Sequence, residues 1–519
     1  MTSRPADVSP KPHVVMAVPS TLATDARVRR TARSVADLGH RVTLVWGDHT
    51  ADEVVEGCLG GVRTIGLPVR YSARDRAASE RPAMLTRARE DLAAAVGRRT
   101  EARRRADQPY RFPRLGFPDA PAQRRALKAA QGRVARATGL WERVSATVRA
   151  GIVRGRSRVF LAQKGRRRKA VLQARADVET ARALVEASSR ARPWRDELAN
   201  IGDLNDAFVP WLCELEPDLL HLHDVHLLEA GRIAKERLSQ QGRQVPLIYD
   251  AHEFLPGRQG RNPAEDRAYA EMESELLASC DAVITVSEQI ADVMWHDHDL
   301  PERPTVTLNI PPLSDRAVET PRGDLRTELG LGEDVPLLVY SGGVAPARNV
   351  PAIIRATARL EGVHAAVICV PSTTVPGALE LRSLAEDLGV TDRIHLVEPV
   401  EPEAIGAFIR TATLGVDAMF GHLAAHAMAL PNKLFNYLHA GLPMVMSDAS
   451  AQAAFVTEHG LGTTFDPHDV DAFAEAVRRA LASRAVHAAR AADPELLATY
   501  SWENQARNLA PLYAKLVHR

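Results

Sequence analysis

The residues best suited to chemistry lie between Leu430 and Asp448, where a lysine stands near the start of a predicted helix. Pro431 favours a helix start, Lys433 follows in the first turn, and Gly441 ends the helix before an apolar strand. The first backbone N–H groups of a helix have no partner within it and carry a partial positive charge, which suits a phosphate. Lys433 opposes the helix dipole at this end, and a bound anion would compensate it. The segment therefore predicts an anion site.

A second set of candidate residues surrounds His252, which follows an apolar strand in the run Asp250-Ala-His-Glu253. Ligands of parallel α/β sheets bind beyond the carboxyl ends of the strands, so this position suits a functional histidine. A histidine satisfied in the core remains the alternative. Asp250 and Glu253 are placed either to orient the imidazole or to bind an acceptor.

Three further histidines have the spacing of metal ligands. His221 and His223 share one face of a predicted strand, and Asp224 and His226 follow directly. Two interpretations are open at this point: a zinc site, or the lining of a cleft.

Short apolar runs separated by helical segments must position these residues. A β-α-β unit is predicted over residues 13–19, 25–38 and 41–46, and such a unit implies a parallel sheet. Further strands are predicted at 217–223, 245–250 and 281–286, and a second series at 336–340, 363–370, 394–397, 414–416 and 444–446. The predicted fold class is α/β, with two doubly wound Rossmann-like domains linked near residues 309–312 and facing each other across a cleft.

Length and composition fit a protein of two or three domains located in the cytoplasm. The chain has 519 residues, of which 45% are hydrophobic and 25% charged, and no apolar run approaches the roughly 20 residues that cross a bilayer. The polar, proline-rich residues 1–12 are expected to be a disordered lead and not a secretory signal. The four cysteines are far apart and fit neither a zinc spacing nor a disulfide framework, which favours a reducing compartment.

One part of the chain is strongly cationic. Residues 71–200 carry 32 Lys and Arg against 13 Asp and Glu, although the whole chain has a net charge of +1. Residues 122–192 lack proline and are rich in alanine and arginine, so we predict a basic, mostly helical insert over residues 71–199. Within it, an apolar stripe with four-residue spacing lies beside Trp141 and consists of Leu140, Val144, Val148 and Ile152.

Three interpretations of the insert are open: a solvated helical hairpin, a surface that lies on anionic lipid, and a nucleic-acid surface. Nucleic acid is disfavoured because few aromatic residues are present for base stacking. Residues 120–170 are the expected contact with an anionic membrane, which would place the protein at the inner face of the membrane. The alternative for the stripe is that it docks against the protein body.

Several motifs occur in an order typical of one family. They are Asp25-Ala-Arg27-Val, Gly39-His40, Tyr249 to Glu253, Asn309-Ile-Pro, Ser341 to Val350, Pro431 to Pro443 and Tyr500-Ser-Trp-Glu503. Together they resemble the retaining GT-B glycosyltransferases of family four, over residues 13–50 and 205–519, with the insert outside the resemblance.

The resemblance implies boundaries and roles. It implies a first domain at 13–70 and 200–312 on the acceptor side, a donor domain at 313–498, and a C-terminal helix at 499–519 that crosses back to the first domain. It implies a nucleotide-sugar donor, a hydroxyl acceptor that is lipid-linked or a polymeric glycan, and neither a cofactor nor a protein-bound metal, so we favour cleft lining by the histidines. The implied donor-binding residues are Gly342, Gly343, Arg348, Asn432, Lys433 and Asn436. His252 is the implied catalytic residue, and the acceptor-side residues are Asp25, Arg27, Asp250 and Glu253.

The chain departs from this family at two positions. The spacing of its paired glutamates falls on Met428 and Asn436. Asn436 can still hydrogen-bond a ribose hydroxyl but lacks the carboxylate charge, and Met428 offers no comparable contact. Two alternatives therefore remain beside a glycosyltransferase: a nucleotide-sugar epimerase of the same fold, or a silent scaffold that binds an anionic partner through its insert.

Overall fold

A computed structural model describes residues 11–22, 25–71, 90–103, 120–136, 138–189, 193–257, 262–318, 320–421 and 424–517. Most of the predicted N-terminal lead lies outside these residues. The described chain forms two compact units, Arg76–Arg192 and the remainder, which comprises Met1–Asp75 with Pro193–Arg519. No helix in the described part of the chain is both long and apolar enough to span a membrane.

The first domain is built on an eight-stranded sheet in the order β3-β4-β2-β1-β5-β6-β7-β8. Its strands are β1 (His13–Val18), β2 (Arg41–Asp48), β3 (Val55–Leu59), β4 (Val62–Pro68), β5 (Leu219–His223), β6 (Leu247–Ala251), β7 (Ala282–Thr285) and β8 (Thr305–Val306). All neighbours pair in parallel except β3 with β4. The β3–β4 hairpin was not predicted from the sequence, because the side chains of β3 are mostly exposed and do not alternate between buried and exposed.

The helices of this first domain follow the parallel strands in sequence. They are α1 (Ala26–Asp37), and, after residues 90–189, α5 (Trp194–Glu197), α6 (Asn200–Glu214), α7 (Leu228–Gln240), α8 (Pro263–Leu276) and α9 (Glu288–Asp297). Successive residues of β1 face opposite sides of the sheet, so Val15 and Ala17 join one core and Val14 and Met16 join another. A core on each face is the signature of a doubly wound sheet, as predicted.

The second domain has a six-stranded, all-parallel sheet in the order β11-β10-β9-β12-β13-β14. Its strands are β9 (Leu337–Gly343), β10 (His364–Val370), β11 (Ile394–Val397), β12 (Leu414–Asp417), β13 (Met444–Ser447) and β14 (Gly462–Phe465). Its helices are α10 (Leu325–Leu329), α11 (Val350–Thr357), α12 (Pro376–Asp387), α13 (Ile405–Ile409), α14 (Ala424–Met428), α15 (Asn432–His439), α16 (Ser450–Glu458), α17 (Val470–Ala482), α18 (Arg484–Ala491) and α19 (Pro494–Thr499). Two cores again cover the two faces of the sheet, so the prediction of two doubly wound α/β domains is confirmed.

The last two helices return to the first domain. They are α20 (Trp502–Ala506) and α21 (Leu509–Val517). Leu509, Tyr513 and Leu516 pack in the core that also contains Val14 and Met16 of β1. The indole N–H of Trp502 donates to the Ser34 hydroxyl on α1 at 2.9 Å. The C-terminal segment therefore ties the second domain to the first.

The unit Arg76–Arg192, which we call the helical unit, contains three described helices. They are α2 (residues 90–103), α3 (Ala120–Arg136) and α4 (Leu140–Ser189). The chain is not one continuous helix over 122–192, because α3 ends before Thr138-Gly139 and α4 begins after them. Small side chains of α4 with alternating three- and four-residue spacing are buried or half-buried, among them Ala146, Ala150, Val153 and Ser157. This heptad pattern indicates the seam of a helix–helix packing within the unit.

Candidate functional site

A buried cluster of polar side chains lies where β5 and β6 end. The two strands are neighbours with His223 paired to Asp250, so both side chains emerge on one side of the sheet. The Asp250 side chain is only 1% exposed, and its Oδ2 lies 3.2 Å from His223 Nδ1 and 3.5 Å from His252 Nε2. The two ring nitrogens are 3.3 Å apart. The fold thus brings the predicted His252 and Asp250 together with His223. His221 and His223 were expected to line a cleft, but both are fully buried, so that expectation is wrong for these two residues.

Arg27 of α1 holds the carboxylate of Asp250 from the other side. Its Nη2 donates to Oδ1 at 2.6 Å and its Nε to Oδ2 at 3.1 Å, and Nη1 donates to the Thr307 carbonyl at 2.6 Å. Burial alone would raise the pKa of Asp250, but the Arg27 charge outweighs it and the pKa lies well below its usual range. Asp250 is therefore a carboxylate at any pH near neutrality.

His252 follows the last residue of β6 and retains 17% exposure of its side chain. Burial acts to lower its pKa, but the Asp250 carboxylate, by charge and by hydrogen bonding, outweighs burial and raises the pKa above its ordinary value. His223 is fully enclosed and shows the reverse balance: burial lowers its pKa despite the bond to Asp250. The pKa values of the two histidines are therefore shifted in opposite directions, and His252 is the one that takes up a proton more readily.

The residues that could act together as metal ligands in the structure differ from those that their spacing in the sequence suggested. His221, His223 and Asp250 present ligand atoms within 4.8 Å of one another, whereas His226 pairs with Asp224 at 3.2 Å. The Arg27 guanidinium already contacts both Asp250 oxygens, and His221 Nδ1 bonds the Tyr513 hydroxyl. A cation there would lie beside a permanent positive charge, so the residues do not fit a metal, and the absence of a metal stays a prediction.

The four residues predicted on the acceptor side separate into two groups. Arg27 and Asp250 are 2% and 1% exposed and bond each other, so they support His252 from behind. Asp25 caps α1, accepting from the Val28 N–H at 3.1 Å, and remains half-buried. Glu253 is exposed. The role of these residues toward an acceptor stays a prediction.

In the second domain, Lys433 lies in the first turn of α15 and reaches the end of β12. Its Nζ is 3.1 Å from Asp417 Oδ1 and 4.2 Å from the centre of the Tyr340 ring. The Lys433 side chain is 7% exposed and Asp417 is fully buried. Burial lowers the pKa of Lys433, and Asp417 opposes that effect. Asp417 was not predicted as a site residue, although an acidic residue at the end of an apolar strand is a signal that the sequence contains.

The Gly342-Gly343 pair brings the backbone of β9 close to Lys433. Gly342 has φ of 149°, and a Cβ added there would lie 3.3 Å from the Tyr340 hydroxyl and 3.6 Å from Lys433 Cε. The Tyr340 hydroxyl donates to the Gly343 carbonyl at 2.7 Å. The backbone conformation of Gly342 favours glycine, and a Cβ there would also be in tight contact with the Tyr340 hydroxyl.

Arg348 ends a short 3-10 turn, Pro346–Arg348, directly before α11. Its side chain is half-buried, and its Nη1 lies 3.8 Å from the Met419 sulfur. Its charge is one of the influences that lower the pKa of Lys433, so the two cations lie in one electrostatic environment. Among the described residues, no carboxylate lies within ion-pair distance of Arg348.

The N-terminus of α15 has no side-chain cap. Pro431 is the capping residue, no side chain among the described residues accepts from the first turn, and Asn432 in that turn is exposed. Asn436 follows one turn later and is half-buried. Met428, at the other position where the family has a glutamate, is half-buried and packs against the core of the first domain near Leu255. A methionine therefore fits an apolar contact between the domains at this point.

One cavity lies away from these residues, in the first domain. It has a volume of about 1200 Å³ and is lined by residues at the amino ends of the first-domain strands, including His13, Arg41 and Asp218. None of the predicted site residues lines it. The chemistry-bearing residues are at the opposite, carboxyl edge, where ligands of open α/β sheets bind.

Two family models match most of the chain. Residues 138–309 match the glycosyl transferase 4-like domain, and residues 321–493 match the glycosyl transferases group 1. The first match begins in the residues of α4, so the interpretation that the whole segment 71–199 lies outside the family resemblance is wrong for residues 138–199.

Two curated relatives are D-inositol 3-phosphate glycosyltransferases. The protein of Mycobacteroides abscessus is 25% identical over 315 residues, 58% of this chain and 66% of the relative. That of Xylanimonas cellulosilytica is 27% identical over 332 residues, 58% of this chain and 73% of the relative. The chain thus spans about two thirds of the length of these relatives.

Solved structures share the fold at low identity. Sucrose-phosphate synthase of Thermosynechococcus elongatus has a TM-score of 0.62 and 14% identity, over 98% of this chain and 100% of that one. A UDP-forming α,α-trehalose-phosphate synthase of Burkholderia vietnamiensis has a TM-score of 0.54 and 15% identity, with coverage of 98% and 100%. With the two matched family models and the two parallel α/β sheets, the chain belongs to the group 1 glycosyltransferases of GT-B fold.

Proposed function

We propose that this protein transfers a sugar from a nucleotide-sugar donor to a hydroxyl acceptor, with retention of anomeric configuration. The observation that carries the proposal is the N-terminus of α15, uncapped by any described side chain, beside Lys433, Arg348 and the Gly342-Gly343 pair at the end of β9. Backbone N–H groups, two cations and a close backbone approach together suit a diphosphate.

The chemistry requires stabilisation of the nucleoside diphosphate that leaves as the glycosidic bond breaks. Donors fixed before the reaction supply that stabilisation without reorganisation. Lys433 is already partly compensated by Asp417. Arg348 has no described carboxylate partner, so it is the cation with the most charge to offer a diphosphate.

His252 is proposed to act from the first domain. Its raised pKa favours the imidazolium, which donates hydrogen bonds and opposes negative charge. The buried Arg27–Asp250 pair fixes its position from behind. In this arrangement His252 contacts the donor near the reacting carbon.

The donor is proposed to be a uridine or adenosine diphosphate sugar. A structural relative is named as UDP-forming and a starch synthase of the same fold was solved with ADP. Asn436 in place of a glutamate keeps a hydrogen-bonding group near the ribose position but removes its charge. The acceptor is a hydroxyl compound that is lipid-linked or a polymeric glycan.

Calorimetry with UDP, ADP and GDP, followed by hydrolysis assays of the matching glucose nucleotides, tests this proposal. We expect one nucleoside diphosphate to bind and its sugar nucleotide to be hydrolysed slowly without acceptor. A ligand at about 100 times its dissociation constant stabilises the folded state by about 2.7 kcal/mol, which a thermal shift detects. If no nucleotide binds at millimolar concentration, the silent-scaffold alternative is favoured instead.

We further propose that α4 contacts an anionic membrane surface. Leu140, Val144, Val148 and Ile152 are 77%, 48%, 58% and 50% exposed. They lie about half a turn from the seam formed by Ala146, Ala150, Val153 and Ser157, because a helix repeats every 3.6 residues. The stripe is therefore not the face used for packing within the helical unit.

Arginines flank the exposed stripe. From the 3.6-residue repeat of the helix, Arg149 and Arg156 lie along one edge of the stripe and Arg158 lies along its other edge. All three side chains are exposed. An apolar strip between cationic edges suits the boundary between acyl chains and anionic headgroups. Each cation near such a surface contributes on the order of 1 kcal/mol.

Co-sedimentation with phosphatidylglycerol vesicles at low salt tests the membrane contact. The double variant Val148→Glu with Ile152→Glu should bind at least about tenfold more weakly, because two apolar contacts are lost. Val486→Glu, at a residue of α18 that is 70% exposed, is the matched control and should pellet like the wild type. Equal pelleting of the double variant, or no pelleting of the wild type, contradicts the membrane role.

A further inference from the structure

His223 has no role in the function proposed above, yet it contacts both residues on which that function depends. Its Nδ1 lies 3.2 Å from Asp250 Oδ2 and 3.3 Å from His252 Nε2. His223 itself is fully buried, so it cannot contact a substrate directly.

The distances decide where the protons lie. Nδ1 of His223 lies 3.2 Å from Oδ2 of Asp250 and 3.3 Å from Nε2 of His252. A carboxylate oxygen only accepts hydrogen bonds and, being charged, is a stronger acceptor than a ring nitrogen, so we assign a proton to Nδ1. A neutral imidazole has one N–H, and burial keeps His223 neutral by lowering its pKa. His223 is therefore the Nδ1–H tautomer, and its Nε2 carries a lone pair and no proton.

The other nitrogen of His223 agrees with this assignment. His223 Nε2 has no hydrogen-bond partner among the residues that the structure describes. With the proton on Nε2, a buried N–H would lack an acceptor while two acceptors faced each other at Asp250, and each defect costs free energy. With the proton on Nδ1, only an acceptor lone pair is left without a partner.

The same reasoning applies to His252. Its Nε2 is 3.5 Å from Asp250 Oδ2, so this nitrogen also points an N–H at the carboxylate. The ring nitrogen left for a ligand is then Nδ1. His221 stacks on His223 with ring centres 4.3 Å apart, and its own Nδ1 bonds the Tyr513 hydroxyl of α21, so His223 is held from behind.

We propose that His223 is a positioning residue for the transfer reaction: by donating from Nδ1 to Asp250, it fixes the carboxylate that presents Nδ1 of His252 to the donor. The inference rests on the proposed function, since it assigns His223 a part in the same reaction. Arg27 and His223 contact Asp250 from different elements, α1 and β5, so together they leave the carboxylate one orientation.

Two substitutions at His223 distinguish the effect of the Nδ1–H donor from the effect of the size of the side chain. His223→Asn places an amide N–H where Nδ1 stands, whereas His223→Leu fills similar space without a donor. We expect the Asn variant to keep kcat within about threefold and the Leu variant to lose at least about tenfold, the range seen when supporting hydrogen bonds are removed from an active site. Binding of UDP or ADP by calorimetry should be unchanged in both, since neither alters the second domain.

Nitrogen-15 NMR of the histidine rings in the wild-type protein supplies a readout that needs no turnover. The Nδ1–H tautomer for His223 supports the proposal, and the Nε2–H tautomer overturns it. Equal kcat values for the Asn and Leu variants also overturn it, since the N–H would then be irrelevant. If the wild type turns over no sugar nucleotide, the proposed function fails, and the tautomer still decides the geometry around Asp250.

Discussion

The two domains place their candidate residues at the same edge of a parallel sheet, but they surround their acidic residue differently. In the first domain, Asp250 is contacted by Arg27, His223 and His252. In the second domain, Asp417 is contacted by Lys433 alone among the described cations, and its Oδ2 has no described hydrogen-bond partner. In the first domain, protein groups occupy the hydrogen-bonding positions of the carboxylate. In the second domain, positively charged side chains remain able to bind a ligand.

The difference indicates a division of labour. A carboxylate held by a permanent cation and two histidines is rigid, which suits a group that must be positioned. A lysine that is only partly compensated, with Arg348 nearby and an uncapped helix start, suits the binding of an anion that arrives with the substrate. Substitutions in each domain test whether the two sites differ in this way.

The largest effect is expected for Asp250→Asn compared with Asp417→Asn. Removing Asp250 leaves Arg27 buried and charged, and breaking a buried pair in this way costs about 3–5 kcal/mol of folding free energy. Asp417→Asn should cost less, because Lys433 can release its proton whereas arginine cannot. Urea unfolding followed by circular dichroism measures both, and an equal or larger loss for Asp417→Asn would show that the two pairs do not differ in this way.

The second-largest effect is expected on nucleotide binding and concerns only the second domain. Arg348→Ala should weaken binding of the nucleoside diphosphate by about 1.5–3 kcal/mol, the range for a hydrogen bond to a charged group. Arg355→Ala, at an exposed arginine of α11, is the matched control and should bind normally. Calorimetry distinguishes them, and unchanged affinity in Arg348→Ala would remove Arg348 from the site.

We expect the pH dependence of kcat/KM to come from His252 in the first domain. The folded pKa of His252 lies above the ordinary 6.5, so its imidazolium is present at lower pH and is lost as pH rises through the folded pKa. Its contribution to stability has the same sign: full below 6.5 and lost above the folded pKa. We expect kcat/KM to fall on the alkaline side with a midpoint above 6.5, by a factor of up to about ten per pH unit.

His252→Gln is the control for that profile. It should turn over more slowly and lack the alkaline fall, because no group titrates at this position. An alkaline fall at the same pH in the Gln variant would assign the titration to another residue.

The smallest effect concerns the departure at Asn436. Asn436→Glu restores a carboxylate where the family has one, and we expect a gain in donor affinity of about 0.5–1.5 kcal/mol from one hydrogen bond. Asn436→Gln, which has the same reach without charge, should gain less. A loss of affinity in the Glu variant alone would indicate that the pocket has adapted to a neutral residue.

Local elements were predictable from the sequence because their signals are local. The start of α1 at Asp25 follows from a side chain that caps its own helix, and α15 begins after Pro431 as expected. The buried parallel strands were found as short apolar runs, and their carboxyl ends gave the positions of His252 and Asp250. Strand β14 was missed because its residues are half-buried and threonine-rich, without a continuous apolar run.

The partners of each charge were decided only by the tertiary structure. Arg27 and Asp250 are 223 residues apart, and Tyr513 lies 292 residues from His221. Such pairs depend on which strands become neighbours and on where the last helix returns, and no local pattern carries that information. The exposure of the stripe from Leu140 to Ile152 was also undecided, because apolar spacing identifies a face without saying what covers it.

The sequence by itself determined the two α/β domains, the edge of each sheet where ligands bind and the residue types placed there. Folding decided which of those residues are saturated by one another and which remain available. The physical reason is that burial and pairing set the charge state of a side chain, and both arise from contacts between distant parts of the chain. His223 was noted in the sequence only for its metal-like spacing and Asp417 was not noted at all, yet they are direct neighbours of His252 and Lys433 in the folded protein.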